Sequence, residues 1–409
     1  MTATDPRRVV ETVWRIESAR IIAGLARIVH DVGLAEELAQ DTFVIALEQW
    51  PVTGVPDHPG SWLMATAKHR AIDLVRRRSL YQKKLEAIGR ATPDAEEPDL
   101  AAELDDYIGD DLLRLIFTTC HPVLSTESRV GLTLRLLGGL TTDEIARAYL
   151  VPESAVGQRI TRAKRTLTEK QVAIELPPPA EVVERLASVL EVVYLIFNEG
   201  YAATAGDDWM RPTLCEEALR LGRLLATLAP REPEVHGLVA LMELQASRIP
   251  ARTAPDGTPI LLHDQDRRRW DRLLIRRGLA ALARAGDTFG PYALQASIAA
   301  CHARAPRAEE TDWERIAALY AVLAHVSPSP VVDLNRAVAV GNVHGPARGL
   351  EIVDALVLPN YPLVPAVRGD LLARLGRTVE ARREFERAAG MTRNARERGL
   401  FEARAAALE

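Results

Sequence analysis

Aromatic side chains make up only 5% of this 409-residue sequence, and cysteine occurs three times. Cys120, Cys215 and Cys301 lie roughly a hundred residues apart, a spacing that fits neither a disulfide framework nor a zinc site. An excess of one charge is also missing: 51 Lys and Arg face 56 Asp and Glu, for a net charge of -5. That average does not describe a nucleic-acid binder, so any basic surface must come from local blocks. Near the start, the apolar run IIAGLARIV is short and broken by Arg27, so neither a signal peptide nor a membrane span is expected. A soluble cytoplasmic protein with reduced thiols follows, without metal or cofactor.

What the chain does have is helix-forming composition. Hydrophobic residues at 47% and charged residues at 26% are ordinary for a soluble protein, while abundant Ala, Leu and Arg favour helix nearly throughout. The length leaves room for roughly two or three domains.

The most informative stretch is GGLTTDEIARAYLVPESAVGQRITRAKRTLTEK, Gly138 to Lys170, which reads as a helix-turn-helix. Thr141 and Glu144 have capping-box spacing ahead of Ile145, Ala146 and Tyr149, and Pro152 stops the first helix. In the second helix Val156, Ile160, Ala163 and Leu167 form one apolar face. Ser154, Gln158, Arg162 and Arg165 form the opposite face, with Arg159 on its flank. Hydroxyl, amide and guanidinium groups near a helix N-terminus suit the donors and acceptors of base edges in the major groove. The plainer reading is a basic surface helix, since the turn lacks glycine and no Ser or Thr caps the second helix.

Toward the N-terminus, Val10, Trp14, Ile21, Leu25 and Ile28 share a helical stripe. In LAEELAQDTFVIALEQW, Leu34 to Trp50, the residues Phe43, Leu47 and Trp50 face one way and Glu37, Asp41 and Glu48 another. That acidic ridge is either a solvated face or a dock for a basic partner helix. Pro51 to Gly60, PVTGVPDHPG, is predicted to be a loop. The helix that follows turns strongly basic, through Lys68, His69, Arg70, Arg76, Arg77 and Arg78 to Lys83 and Lys84. With Trp62 at the loop exit it suits melted DNA, where bases stack and phosphates need countercharge, although Trp62 also reads as a core residue.

Pro93 to Asp111 holds nine acidic residues and no basic one, the pattern of a flexible linker. A second small domain is expected from Leu112 through the helix-turn-helix, and the prolines at Pro177 to Pro179 mark the next boundary. Beyond them lie amphipathic segments joined by Gly and Pro turns. From Pro362 to Asn394, Gly369, Gly376, Ala381, Phe385 and Ala388 fall at the small and large positions of a tetratricopeptide helix pair, and Pro330 to Leu356 is a looser copy.

Together these segments resemble an extracytoplasmic-function (ECF) sigma factor of bacterial RNA polymerase. ELAQDTFVIALEQW is similar to sigma region 2.2, PGSWLMATAKHRAIDLVRRR to regions 2.3 and 2.4, and Thr141 to Lys170 to region 4.2. FTTCHPVLS, YLIFNEGYAAT, QDRRRWDRLLIRRG, GPYALQASIAACHA and SPVVDLNRAVAV resemble the subgroup with a long tetratricopeptide-like C-terminal extension. The resemblance implies an all-α chain: region 2 over residues 1–90, an acidic linker over 91–111, region 4 over 112–175 and a helical-repeat domain over 180–409. It also implies roles. Glu37, Gln40, Asp41 and Glu48 would dock on the clamp of the polymerase's largest subunit. Trp62, His69, Arg70, Arg76, Arg77 and Arg78 would hold the melted -10 element, including a base turned out of the stack. Ser154, Gln158, Arg159, Arg162 and Arg165 would read the -35 element, and the linker would thread a basic polymerase channel. Core polymerase and promoter DNA are thus the expected partners, with a regulatory protein on the repeat domain.

Two other classes compete. An enzyme would need a site, and His263, Asp264, Asp266 and Asp271, the NEG at Asn198 to Gly200, or Cys120 beside His121 are the candidates. Polar turns and helix-end packing account for each of them, and no catalysis is expected. A helix-turn-helix regulator carrying a helical-repeat sensor is the stronger competitor. It gives no reason for a second basic unit with an acidic docking helix ahead of a charged linker.

Overall fold

The N-terminal stripe becomes helix α1 (Pro6–Val29), in which Val10, Ile21 and Leu25 are fully buried. Against it pack α2 (Val32–Thr53) and α3 (Pro59–Ala87). This is a computed structural model that describes residues 6–87, 108–149, 151–178, 180–287, 290–359 and 361–408. Asp31 starts α2 by accepting a hydrogen bond from the Leu34 amide at 2.8 Å, the N-cap geometry that satisfies an otherwise orphaned donor.

The expected loop from Pro51 to Gly60 is shorter than its prolines suggest. Helix α2 continues through Pro51 and ends at Gly54, whose φ of 87° only glycine adopts cheaply and whose amide reaches Trp50 O at 3.0 Å. Pro59 then opens α3, where its missing N–H costs nothing. Only the segment between Gly54 and His58 remains non-helical.

Most of the acidic stretch, residues 93–107, lies outside the described residues. Its expected last part does not: α4 (Ile108–Thr119) begins inside it, and Asp111 is buried. There follow α5 (Thr126–Leu136), α6 (Thr142–Tyr149) and α7 (Glu153–Glu169). The capping box forms as the spacing required. The Glu144 amide donates to Thr141 Oγ1 at 3.1 Å and the Thr141 amide to Glu144 Oε2 at 2.8 Å. Helix α7 starts after Pro152 with no side-chain cap, and Val156, Ile160, Ala163 and Leu167 are buried. Each of the larger three contributes roughly 1.5–3 kcal/mol of apolar burial to holding α7 against α5 and α6.

By its internal contacts the chain divides into a unit ending at Val192 and one beginning at Val193, so the division falls inside α8 (Val182–Tyr201). In the second unit helices follow one another as α9 (Pro212–Leu228), α10 (Pro233–Ala246), α11 (Arg272–Ala285), α12 (Pro291–Arg304), α13 (Trp313–Val326) and α14 (Pro330–Val343). They continue as α15 (Pro346–Asp354), α16 (Leu363–Arg374), α17 (Thr378–Met391) and α18 (Ala395–Ala406). Successive helices pack on one another. In the α16–α17 pair the reason for Gly369 is direct: a Cβ there would lie 3.0 Å from the Phe385 ring. The α14–α15 pair closes in the same way, with Gly341 against Gly349. These tetratricopeptide-like pairs make the C-terminal part a helical-repeat structure. The departure from all-α among the described residues is a parallel pairing of β1 (Ala205–Gly206) with β2 (Arg393–Asn394). There buried Asn394 donates to Ala203 O at 3.0 Å and to Asp208 O at 2.8 Å. No described helix is long and apolar enough to cross a membrane.

Candidate nucleic-acid and polymerase interface

On α2 the apolar face is committed to the core. Trp50 is buried, Phe43 stacks near Trp14 at 4.9 Å, and Trp62 meets Trp50 edge-on at 5.5 Å. Glu37, Asp41 and Glu48 are exposed and Gln40 is half-buried, so the acidic ridge faces outward. On α3, His69, Arg70, Arg76, Arg77 and Arg78 are exposed, while Leu63, Ala67 and Ala71 are buried beneath them. The two faces meet. Arg70 Nη2 donates to Asp41 Oδ2 at 2.7 Å, and Glu37, Asp41, Arg70, Asp73 and Arg77 line one small groove between α2 and α3.

Trp62 is half-buried with its ring on Trp50, so it serves the core as well as any surface. A cavity of about 690 Å³ opens between α1 and the start of α3, with Trp62 outside its lining. His58, Gly60, Ser61, Lys68 and His69 line one side and Glu17 and Arg20 of α1 the other. It is polar-rimmed and large enough for a nucleobase-sized group, since ligand clefts run from roughly 300 Å³ upward. The side chains of Lys83 and Lys84 lie outside the described residues.

In α7 the burial follows the helical period. Ser154, Gln158, Arg162 and Arg165 are exposed, and Arg159 is half-buried. Arg165 Nε donates to Glu169 at 2.6 Å, which raises the guanidinium's affinity for its proton. Arg159 lies near Glu127 of α5. That carboxyl is held below its usual range first by its own amide and Ser125, and further by Arg159. The outward face therefore offers a hydroxyl, an amide and cations on a helix whose other side is fixed.

The competing candidates resolve into structural roles. Asp266 accepts from the Arg268 amide at 3.0 Å and Asp271 from those of Leu273 and Leu274 at 2.8 and 3.1 Å, as helix caps. His263 and Asp264 are an exposed pair 3.3 Å apart, and no group of three metal-ligating side chains occurs among the described residues. Glu199 is paired with Arg211, and a Cβ on Gly200 would meet the Cys215 amide at 2.7 Å. Burial pushes the Cys120 thiol up, against weaker opposing hydrogen bonds from Thr133 and Thr119, which suits packing rather than nucleophilic attack. Sequence reasoning passed over Glu36, Arg135 and Lys164, which form one charged cluster, and Arg185 and Ser188, which reach carbonyls of α4. A buried Glu beside an exposed one has no signature in a one-dimensional pattern.

Comparison with known proteins agrees with this layout. Sigma-70 region 2 matches residues 16–81, Sigma-70, region 4 matches residues 114–167, and a Family of unknown function (DUF6596) matches residues 185–286. The Uncharacterized protein R00370 of Rhizobium meliloti (strain 1021) is 44% identical over 381 residues, 92% of this chain and 90% of its own. ECF RNA polymerase sigma factor SigK of Mycobacterium bovis (strain BCG / Pasteur 1173P2) is 30% identical over 153 residues, 36% of this chain and 78% of that one. The Probable ECF RNA polymerase sigma factor SigI of Mycobacterium tuberculosis (strain ATCC 25618 / H37Rv) is 27% identical over 183 residues, 44% of this chain. The match spans 60% of SigI's own length. Among solved structures, yeast Tom70 superposes with a TM-score of 0.31 at 12% identity, over 99% of this chain and 85% of that one. The helical-repeat assignment rests on the helix pairs themselves.

The chain belongs to the ECF sigma factors of bacterial RNA polymerase and carries a C-terminal extension beyond regions 2 and 4. As a sigma factor it acts in transcription initiation, with core polymerase and promoter DNA as the partners of that class.

Proposed function

We propose that region 2 recognises and melts the -10 element while region 4 reads the -35 element, so that the chain directs core polymerase to a dedicated set of promoters. The observation that carries this reading is the division of α7 into a buried apolar face and an exposed face of Ser154, Gln158 and Arg162. Such a helix can enter a major groove without disturbing its own packing. Arg165 continues that face and Arg159 flanks it, both taking phosphates or neighbouring bases.

On region 2, the exposed guanidinium groups of Arg76, Arg77 and Arg78 hold backbone phosphates, and Arg70, His69 and the edge of Trp62 face the melted strand. The cavity beside His58, Gly60 and His69 accepts a base turned out of the stack. Glu37, Gln40, Asp41 and Glu48 dock on the clamp of the largest subunit, where an acidic ridge meets a basic partner helix. The acidic residues before α4 lie along the polymerase's basic channel, replacing nucleic-acid phosphate. The C-terminal helical repeats take a regulatory protein, and the whole works in the cytoplasm without cofactor or catalytic step.

Reconstituted transcription with core polymerase tests this. Full-length protein is expected to start RNA synthesis at a small set of promoters selected from random-sequence templates, with preferred bases at both -10 and -35. Initiation without any enriched -35 bases would remove region 4 from promoter readout. The conventional regulator reading predicts no initiation by core polymerase alone.

A further inference from the structure

Helix α11 and the turn before it carry an unbalanced charge. From Arg267 to Arg284 the sequence holds seven arginines and a single carboxylate, Asp271. Arg267 is buried, and its guanidinium donates to the carbonyls of His302 and Ala305 at 2.8 and 2.6 Å. Arg268, Arg269, Arg272, Arg276, Arg277 and Arg284 are exposed. Arg268 pairs with Asp266 at 3.0 Å, whereas no ion pair among the described residues involves the other five. Asp271 is engaged as the cap of α11, accepting from the Leu273 and Leu274 amides.

The core fixes which way this face points. Ile275, Gly278, Ala281 and Ala285 are buried on the other side, and α10 lies so close that a Cβ on Gly278 would meet Leu244 at 2.7 Å. Local electrostatics oppose the strip. Arg272 is the first residue of the helix, where a cation works against the helix dipole, and it stands one turn from the like charge of Arg276. Elsewhere in the same unit, surface arginines are matched along their own helices: Arg348 with Glu351, Arg377 with Glu380 and Arg382 with Glu386. On α11 the matching anions are absent from the helix, and packing gives no reason for the cations.

We propose that the outer face of α11 is a further, sequence-independent contact with duplex DNA, its guanidinium groups holding phosphates of the backbone. The choice of partner rests on the chain's role at promoters and on what the face carries. Guanidinium forks suit phosphate oxygens. From Arg272 to Arg284 the helix rises about 18 Å, or about five base steps at roughly 3.4 Å each. Ala280 and Ala283, exposed between the arginines, offer no donor or acceptor to a base edge, so the contact carries no sequence preference. A protein partner would want an apolar or aromatic anchor at the centre of the face, which Leu273, 46% exposed near one end, does not supply.

Binding of the full-length chain to a random-sequence duplex, followed by fluorescence anisotropy over a range of salt, tests this. Promoter choice plays no part in such a duplex, so a failure of the -35 reading leaves the test standing. Arg272→Ala, Arg276→Ala and Arg277→Ala together should weaken binding about tenfold at low salt and lower the salt slope by roughly 2–3, at about 0.9 per phosphate contact. Helical content should hold, because alanine favours helix and like charges are removed. Arg272→Lys, Arg276→Lys and Arg277→Lys together should keep most of the slope. Arg377→Ala with Arg382→Ala, on α17, should leave it unchanged. An unchanged slope in the alanine variant overturns the proposal, as does an equal fall in the α17 variant or a parent chain that does not hold the duplex. A lysine variant as weak as the alanine one would make the loss structural and overturns it too. Unchanged DNA binding with loss of co-elution with core polymerase would give the face to an acidic protein surface instead.

Discussion

Arg70 of α3 donates to Asp41 of α2 at 2.7 Å, so a residue proposed to face melted DNA and one proposed to face the polymerase form a single ion pair. Both side chains are about half exposed, at 42% and 51%, so the pair contributes no more than about 1 kcal/mol to stability. Asp41→Lys should leave the melting temperature nearly unchanged, weaken core binding, and displace Arg70 by like-charge repulsion so that open-complex formation falls as well. Adding Arg70→Asp should re-form an ion pair of reversed polarity, but restore neither core affinity nor open-complex formation. Fluorescence titration with core polymerase checks this; equal affinity in Asp41→Lys would take Asp41 off the docking face.

Gln158 and Arg162 stand one turn apart on the exposed face of α7. Each→Ala should cost about 1–3 kcal/mol against the preferred -35 sequence and relax the choice at one base. Arg77→Ala should instead weaken all sequences alike and lower the salt slope by about 1. A panel of promoter variants at several salt concentrations separates the two patterns. Uniform loss for Gln158→Ala and Arg162→Ala would mean that another face of α7 meets the groove.

Much of this was legible in the sequence wherever one period dominates. The four apolar positions of α7 and the Thr141–Glu144 box follow from spacing alone, because helix geometry fixes which side chains share a face. The prolines misled by position: Pro59 opens α3, where proline is tolerated at a first turn, and Pro51 lies inside the last turn of α2, which runs on to Thr53. Glu36 was not legible. Its partners stand 99 and 128 residues away, and nothing in the local pattern sets it apart from exposed Glu37. The charged side chains Glu37, Asp41, Arg70, Arg77 and Arg162 are outward in the structure, as their spacing opposite the apolar stripes requires.

The first half of α8 completes region 4. Arg185 Nη2 donates to Phe117 O at 2.9 Å and Ser188 Oγ to Cys120 O at 2.6 Å, covering carbonyls at the end of α4 that its own ladder leaves open. Arg129 reaches Ser188 and lies 3.2 Å from Glu191. Arg185→Ala should destabilise this unit by about 1–3 kcal/mol, because a buried carbonyl loses its donor. Ser188→Ala should do the same to a smaller degree. Hydrogen exchange on the full-length variants should show faster exchange of the Cys120 amide, which closes the last turn of α4 onto Ile116 O. A chain cut near Pro177 should lose the same protection, so its transcription would report damage to region 4 as well as removal of the repeats. Unchanged exchange in Arg185→Ala would make the contact dispensable.

The second unit carries a pH dependence of its own. His302 of α12 sits edge-on to Trp313 at 5.3 Å, with Nδ1 buried and without a hydrogen-bond partner. Burial first, and then the charges of Arg248 and Arg267, lower its pKa to about 3 from the usual 6.5. In the unfolded chain the imidazole takes a proton near pH 6.5, while in the folded unit it stays neutral down to about pH 3. Between those values the unfolded state binds more protons, so acidification favours unfolding, and the stability present above pH 6.5 is lost as pH falls toward 3. Integrated over that window the effect is on the order of several kcal/mol. His302→Phe keeps a ring against Trp313 and removes the titrating group. Urea unfolding followed by tryptophan fluorescence at pH 7 and pH 5 should therefore show a smaller loss on acidification in the variant than in the parent. Parallel losses in the two chains would assign the acid sensitivity to the carboxylates instead.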